Sequence, residues 1–246
     1  LGLVLLVAGC DHDRAQDDQN MIPLKDTVRA RGFPYVTAAL IGANILLFFV
    51  ELRLPPDMLE AFLWVLGVVP RRFLTAPWPN EWLTLITSQF LHGGWLHLLS
   101  NMLALVIFAD NVEDRLGHWR FLLFYLACGI AAGLLHLWLN PLSAVPAIGA
   151  SGAISGVLAA YLVLFPTARV VALVPVFFIP WFVEVPALIW VGGWFLAQLL
   201  NGLLSLGSDM ELLGGVAWWA HVGGFLAGLV LVWPLRRPAP HFHPDQ

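Results

Sequence analysis

Apolar runs separated by short polar turns fill most of this 246-residue chain. Six of these runs come close to the roughly 20 residues that a helix needs to cross a bilayer. Their centres lie near Ile45, Leu103, Ala131, Leu158, Trp194 and Phe225. The pattern predicts an all-α membrane protein, a bundle of six transmembrane helices with a long first outer loop.

Two connecting segments contain apolar residues without the length or continuity of a span. Residues 58–69 lie within the long loop of residues 52–90 and are too few to cross a membrane, so they predict an interfacial helix. In residues 168–185, Pro175 and Pro180 interrupt the apolar pattern. A loop or short hairpin at the interface fits this segment better than a spanning helix.

Composition supports a membrane protein, since 59% of the residues are hydrophobic and only 11% are charged. A soluble domain carries roughly 25% charged residues, so the lipid bilayer is the predicted surrounding. No basic patch suggests binding of nucleic acid. The two cysteines, Cys10 and Cys128, form no zinc-type pattern.

The first residues of the chain resemble a lipoprotein signal only in part. The segment Val7-Ala8-Gly9-Cys10 is similar to a lipoprotein cleavage site, but no basic residue precedes the apolar run before it. We interpret residues 1–20 as a doubtful leader, either lipoprotein-like or, as we favour, a mis-called start before Met21. The predicted divisions that follow are a cytoplasmic segment (21–34), the six-span domain (35–235) and a cytoplasmic tail (236–246).

The placement of lysine and arginine predicts the orientation, because positive residues collect in short cytoplasmic loops. One side of the predicted bundle holds Lys25, Arg29, Arg31, Arg115, Arg120, Arg169, Arg236 and Arg237. The other side holds Arg53, Arg71 and Arg72, all in the long loop. Both ends of the six-span domain are therefore predicted to be cytoplasmic.

Three polar positions enter the membrane from the outer side in this topology. His97 lies a few residues into the second span, Ser151 at the start of the fourth, and His221 a few residues into the sixth. At about 1.5 Å per residue, all three lie within roughly 10 Å of the outer surface. Polar groups at such depth are costly unless they are paired or face water, so we expect these three to meet.

The chemistry of these residues predicts acyl transfer. A serine hydroxyl becomes nucleophilic when a base takes its proton, so Ser151 and His221 are the predicted nucleophile and base. Asn101 lies one turn after His97, and both side chains can donate to an oxyanion together with the backbone N–H groups at Ser151. Since the fourth and sixth spans contain no Asp or Glu to orient the histidine, the sequence predicts a Ser–His dyad.

Small residues predict close contact between the fourth and sixth spans. Gly152 and Gly156 are four residues apart, as are Gly224 and Gly228. Such pairs let helix backbones approach each other in lipid. Without the histidines elsewhere, the same logic would make Ser151 a packing residue.

Together these motifs resemble the bacterial rhomboid family of intramembrane serine proteases. The matching residues are Gly149-Ala150-Ser151-Gly152, His97 and Asn101 with His92 upstream, Glu113-x-x-x-Gly117, and Ala220-His221 with Gly224 and Gly228. The resemblance covers about residues 21–237 and implies a six-helix fold, Ser151 as nucleophile, His221 as base, and an oxyanion hole of His97, Asn101 and Ser151. It implies no metal and no organic cofactor, and a place in the bacterial inner membrane.

Two departures from the family pattern leave details open. Better-known members have a Trp-Arg pair in the first outer loop, where this chain has Glu81-Trp82. Some members stack a tyrosine on the catalytic histidine, where this chain has Ser155, which is more typical of a packing residue. His92 is equally consistent with a hydrogen bond at the end of a loop and with a part in catalysis.

The predicted function is hydrolysis of peptide bonds near the outer end of transmembrane substrate helices. Water must reach the site, so we expect a cavity capped by the glycine-containing loop of residues 201–215. Single-span proteins with helix-weakening residues are the expected substrates, because an intact helix cannot present a carbonyl group. The alternative is a rhomboid-like pseudoprotease that binds transmembrane clients without cleaving them. A transporter or metal-dependent enzyme is disfavoured, because the sequence contains no H-E-x-x-H motif and no paired intramembrane acids.

Overall fold

The computed structural model describes residues 22–28, 30–75, 78–176, 179–206 and 216–237. The predicted leader, the end of the predicted tail and most of the predicted capping loop, including Gly207, Gly214 and Gly215, lie outside these residues. The predicted division of the chain ends therefore stays a prediction.

Helices dominate the described residues. They are α1 (Tyr35–Glu51), α2 (Pro56–Leu66), α3 (Pro70–Thr75), α4 (Thr84–Thr87), α5 (Trp95–Leu116), α6 (His118–Leu139), α7 (Ser151–Leu164), α8 (Ala187–Ser205) and α9 (Trp218–Leu235). Single 3₁₀ turns, Glu81–Leu83 and Ser88–Phe90, flank α4, and α5 contains one π turn, Leu105–Ala109. Helix α2 forms where the sequence predicted a short helix.

Four of these helices, α5, α6, α8 and α9, are long and apolar enough to cross a membrane. Helices α1 and α7 are apolar but shorter, at 17 and 14 residues. Helix α7 is the most enclosed of the six, since every residue from Gly152 to Tyr161 is buried. All six predicted spans are thus helices, and the passage of α1 and α7 across the bilayer stays a prediction.

A small antiparallel sheet is the feature that the all-α prediction missed. Its strands are β1 (Ile22–Asp26), β2 (Arg169–Val176) and β3 (Ile179–Pro186), in the order β1-β2-β3. The β2–β3 pair is a hairpin in the segment where the sequence predicted a loop or a short hairpin. Strand β1 escaped prediction because five residues that include Pro23 carry no clear alternation, and their partner strand lies far along the chain.

Two carboxylates, those of the buried Glu113 and the half-buried Asp26, hold the end of the bundle where α1 begins and α5 ends. Glu113 accepts hydrogen bonds from the Thr37 backbone N–H at 2.7 Å and from the Thr37 hydroxyl at 2.7 Å. Asp26 accepts from the Tyr161 hydroxyl at 2.5 Å and from Asn111 Nδ2 at 2.9 Å, and burial raises the pKa of the Asp26 carboxyl. These bonds tie β1, α1, α5 and α7 together at what we call the anchor end.

The long loop between α1 and α5 is organised around Arg72. Its guanidinium lies between the rings of Trp64 and Trp78, 4.6 and 4.7 Å from their centroids. Arg72 Nη2 and Nε donate to Glu81 at 2.6 and 2.9 Å, and both side chains are buried. Glu81, noted as a departure from the Trp-Arg pattern, is therefore the partner of an arginine nine residues earlier.

Candidate active site

Ser151 and His221 meet at the end of the bundle opposite the anchor end. Ser151 is the first residue of α7, and His221 lies in the first turn of α9. The hydroxyl Oγ of Ser151 is 2.8 Å from Nε2 of His221. This is the distance of an ordinary hydrogen bond, with the imidazole placed to receive the serine proton.

The second nitrogen of His221 has a partner that sequence reasoning missed. Nδ1 lies 2.6 Å from Oε1 of Gln198, a fully buried residue of α8. Because an amide oxygen only accepts, Nδ1 carries the proton and donates, which leaves the Nε2 lone pair for the Ser151 hydroxyl. The only hint in the sequence was a polar side chain in an otherwise apolar span, and such residues face the bundle interior.

Glycines bring helices α7 and α9 into backbone contact. A Cβ atom at Gly224 of α9 would collide with the carbonyl oxygen of Gly152, and one at Gly228 with that of Gly156. Glycine is therefore required at both positions if α9 is to lie this close to α7. The predicted glycine pairs thus face each other, and this contact fixes the distance from Ser151 to His221.

Gly149 has a different task just before Ser151. Its φ of 122° lies in the left-handed region that favours glycine. A Cβ atom here would be 2.6 Å from His97 Nε2 and 3.6 Å from Ser151 Oγ. The missing side chain therefore leaves room for the His97 ring beside the serine.

Asn101 is held in place by a hydrogen bond to His92. Asn101 Nδ2 donates to His92 Nε2 at 3.0 Å, and both side chains are buried. The His92 ring also lies edge-on to the His97 ring, with centroids 5.0 Å apart. Of the two interpretations left open by the sequence, this geometry makes His92 a support for Asn101, since its Nε2 atom is occupied by that bond.

Two tryptophans take the place of the absent tyrosine around His221. The Trp194 ring lies 5.7 Å from the imidazole and is tilted by 38°, while the Trp218 ring lies edge-on at 6.4 Å. Ser155 is fully buried and donates its hydroxyl to the carbonyl of Ser151 at 2.7 Å. It therefore makes a hydrogen bond within α7 and leaves the face of His221 to the aromatic rings.

A cavity of about 150 Å³ opens beside the serine. Its lining residues come from α5, α7, α8, α9 and β1: Pro23, Leu96, Leu99, Ser100, Asn101, Leu103, Ala104, Phe108, Ser151, Ile154, Leu158, Trp194 and His221. Leu96 and Phe108 are twelve residues apart on α5, so the lining follows that helix for roughly 18 Å. The cavity is thus a long apolar cleft with its few polar groups gathered at Ser151.

Comparison with known proteins gives the family. Residues 79–238 match the rhomboid domain, which is well over half of the chain. The chain belongs to the rhomboid family. It is therefore an integral membrane protein with several spans, and the four long apolar helices agree with that.

The relatives of this rhomboid are varied. It is 30% identical over 203 residues to Rhomboid protein 1, mitochondrial, of Saccharomyces cerevisiae. That match covers 81% of this chain and 53% of the yeast protein. It is 43% identical over 83 residues to the putative rhomboid protease YdcA of Bacillus subtilis, which covers 34% of this chain and 41% of that protein. Each match spans less than two thirds of the relative. Mitochondrial and bacterial relatives together give no support for a bacterial inner membrane in particular.

Proposed function

We propose that this rhomboid is an intramembrane serine endopeptidase with Ser151 as nucleophile and His221 as base. The observation that carries the proposal is the 2.8 Å contact between Ser151 Oγ and His221 Nε2 at the end of an apolar cleft. A serine used only for packing would need no imidazole with a matched tautomer. The relative of Bacillus subtilis named as a putative rhomboid protease points in the same direction.

Each step of the reaction has a group in place. Ser151 Oγ attacks the carbonyl carbon of the scissile bond while its proton passes to His221 Nε2. The C–N bond breaks as His221 returns that proton to the leaving amine. Water then attacks the acyl-serine ester and gives a proton to His221, and the ester C–O bond breaks as Oγ regains a proton.

The oxyanion that forms during acylation, and again during hydrolysis of the ester, needs hydrogen-bond donors. Asn101 Nδ2, His97 and the first backbone N–H groups of α7 are the proposed donors, because a helix leaves the N–H groups of its first turn without partners inside the helix. The macrodipole of α7 has its positive end at Ser151 and adds to the stabilisation of the oxyanion.

The shape of the cleft supports membrane-spanning substrates. Its walls are apolar along α5 and reach from Ser151 towards the anchor end. A substrate helix could lie along such a wall, but its carbonyl groups are hydrogen-bonded internally until the helix unwinds. We therefore propose single-span proteins with a weak helical segment level with Ser151 as substrates. The six-span topology with cytoplasmic termini is part of this proposal.

An activity-based probe separates the protease from the pseudoprotease. A fluorophosphonate forms a covalent bond with a serine only if a base activates that serine, so the purified protein is expected to be labelled at Ser151. The matched control is Ser155→Ala, because Ser155 is the next serine of α7 and bonds only to a backbone carbonyl. Ser155→Ala should be labelled, whereas Ser151→Ala and His221→Ala should not. An unlabelled wild-type protein that still binds a single-span peptide would favour the pseudoprotease.

A further inference from the structure

Gln198 is the one polar group of α8 that contacts the proposed catalytic pair in the part of the chain that the structure describes. Its Oε1 accepts from His221 Nδ1 at 2.6 Å, and its side chain is fully buried. No hydrogen-bond partner of Gln198 Nε2 occurs among the described residues. The bond to His221 is thus the one that orients this amide.

We propose that Gln198 is a positioning residue. It completes a Ser151–His221–Gln198 triad, in place of the dyad that the sequence predicted. The inference rests on the proposed function, and it concerns how His221 is held for that reaction. The amide oxygen keeps the proton of neutral His221 on Nδ1. The same oxygen stabilises the doubly protonated ring that forms when Ser151 attacks.

The tautomer decides whether His221 can act as a base. With the proton on Nδ1, the Nε2 lone pair points at Ser151 Oγ, 2.8 Å away. If the Gln198 amide were turned over, Nε2 of Gln198 would donate to Nδ1, the ring proton would move to the nitrogen facing Ser151, and the base would be lost. The orientation of one buried amide therefore selects the reactive form.

An amide suits this position better than a carboxylate would. A carboxylate buried inside a membrane bundle carries a large desolvation cost, whereas an amide needs only hydrogen bonds. Asparagine fills the same role in cysteine proteases with a Cys-His-Asn arrangement. The imidazoles of His97 on α5 and His136 on α6 act electrostatically on His221, and among the described residues Gln198 is the side chain that bonds to Nδ1.

Helix α8 contacts the imidazole through two of its side chains. Trp194 and Gln198 are four residues apart, hence on one helix face, and both contact His221. Phe195 on the same helix stacks on Phe225 of α9 with centroids 4.1 Å apart. The triad is therefore complete only while α8 lies against α9. The reactivity of Ser151 thus depends on the position of α8.

Three substitutions at Gln198 test the role of the amide oxygen. Leucine keeps much of the volume and removes the acceptor, glutamate keeps an acceptor at the same reach, and asparagine keeps the amide but is one methylene shorter. Gly193→Ala on α8 is the control, since a Cβ atom there meets no other atom within 4 Å. The measurements are the rate of fluorophosphonate labelling at Ser151, kcat and KM on a single-span substrate, and the unfolding temperature in detergent.

We expect Gln198→Leu and Gln198→Asn to lower the labelling rate and kcat by about 10–100-fold, the range that follows loss of the hydrogen-bond partner of a metal-binding histidine. KM should stay within about threefold, because Gln198 is fully buried and does not line the cleft. Gln198→Glu should keep more of the labelling rate and kcat than Gln198→Leu, since a carboxylate also accepts from Nδ1, while its desolvation cost should lower the unfolding temperature. This rescue would favour an acceptor at residue 198 over the overturned amide, which offers a donor there.

Each other outcome counts against a defined claim. Normal labelling and kcat in Gln198→Leu would disprove the positioning role of Gln198, while leaving the proposed protease activity intact. Equal losses in all three variants together with lower unfolding temperatures would make Gln198 a packing residue only. If Gln198→Leu does not fold, Gln198→Met supplies a flexible side chain of similar length without the acceptor. A wild-type protein without labelling at Ser151 would remove the proposed function itself.

Discussion

Helix α9 contacts its two neighbours at the site in opposite ways. Against α7 the contact is backbone on backbone, since a Cβ atom at Gly224 or Gly228 would collide with a carbonyl oxygen of α7. Against α8 the contact is made by side chains, through the Phe195–Phe225 stack and the bond from His221 to Gln198. One interface has no room for an added atom, and the other is made of side chains, which can adopt other rotamers when the helix moves.

This difference matches the parts that each helix contributes. The groups proposed to exchange a proton, Ser151 and His221, lie on the two helices locked by their backbones, so their separation of 2.8 Å is rigidly set. The group that orients the histidine comes from the helix held by side chains. A substitution in the first interface should thus disturb the whole bundle, whereas one in the second should change reactivity more than stability.

The largest effect is expected from Gly224→Ala. The new methyl group would run into the carbonyl of Gly152, and backbone on both sides can relieve the clash only by moving the helices apart. We expect a loss of about 3 kcal/mol in unfolding free energy, the upper part of the overpacking range, and no labelling of Ser151. Unfolding in detergent measures the change in free energy, and the fluorophosphonate probe measures the labelling of Ser151. Gly193→Ala on α8 is the matched control, and a similar loss there would contradict the comparison.

A smaller effect is expected from Gly156→Ala, because part of its clash is with a side chain. The added Cβ would lie 2.6 Å from the Cβ of Cys128 on α6 and 3.0 Å from the carbonyl oxygen of Gly224. We expect a loss of about 2 kcal/mol in unfolding free energy. Combining it with Cys128→Gly should recover part of that loss, with an interaction free energy of about 1 kcal/mol in a double-mutant cycle. Strict additivity would mean that Cys128 is not the obstacle.

The smallest effect is expected from Phe195→Leu. Leucine keeps the apolar contact with Phe225 and removes the aromatic stack, which is worth about 0.5–1.5 kcal/mol. We expect a loss of about 1 kcal/mol in unfolding free energy and a several-fold decrease in the labelling rate, because α8 then holds Gln198 less firmly. A larger loss of stability with unchanged labelling would reverse the proposed division between the two interfaces.

The sequence predicted the helices and the glycine contact because both depend on local composition. Long apolar runs specify membrane helices almost regardless of the rest of the chain. Gly152, Gly156, Gly224 and Gly228 could be paired in advance because only small residues permit such contact. Strand β1 and the partner of Glu81 were beyond this reasoning, since neither five residues of strand nor one buried carboxylate has a pattern along the chain.

By itself, the sequence determined that the chain lies in a membrane and which residues carry its candidate chemistry: Ser151, His221, His97 and Asn101. Only the tertiary structure decided that Gln198 faces Nδ1 of His221, that His92 supports Asn101, and that Trp194 fills the place of a tyrosine. The physical reason is rotational. A helix of apolar residues forms whichever way it is turned about its axis, and only packing against its neighbours fixes which of its side chains reaches the site.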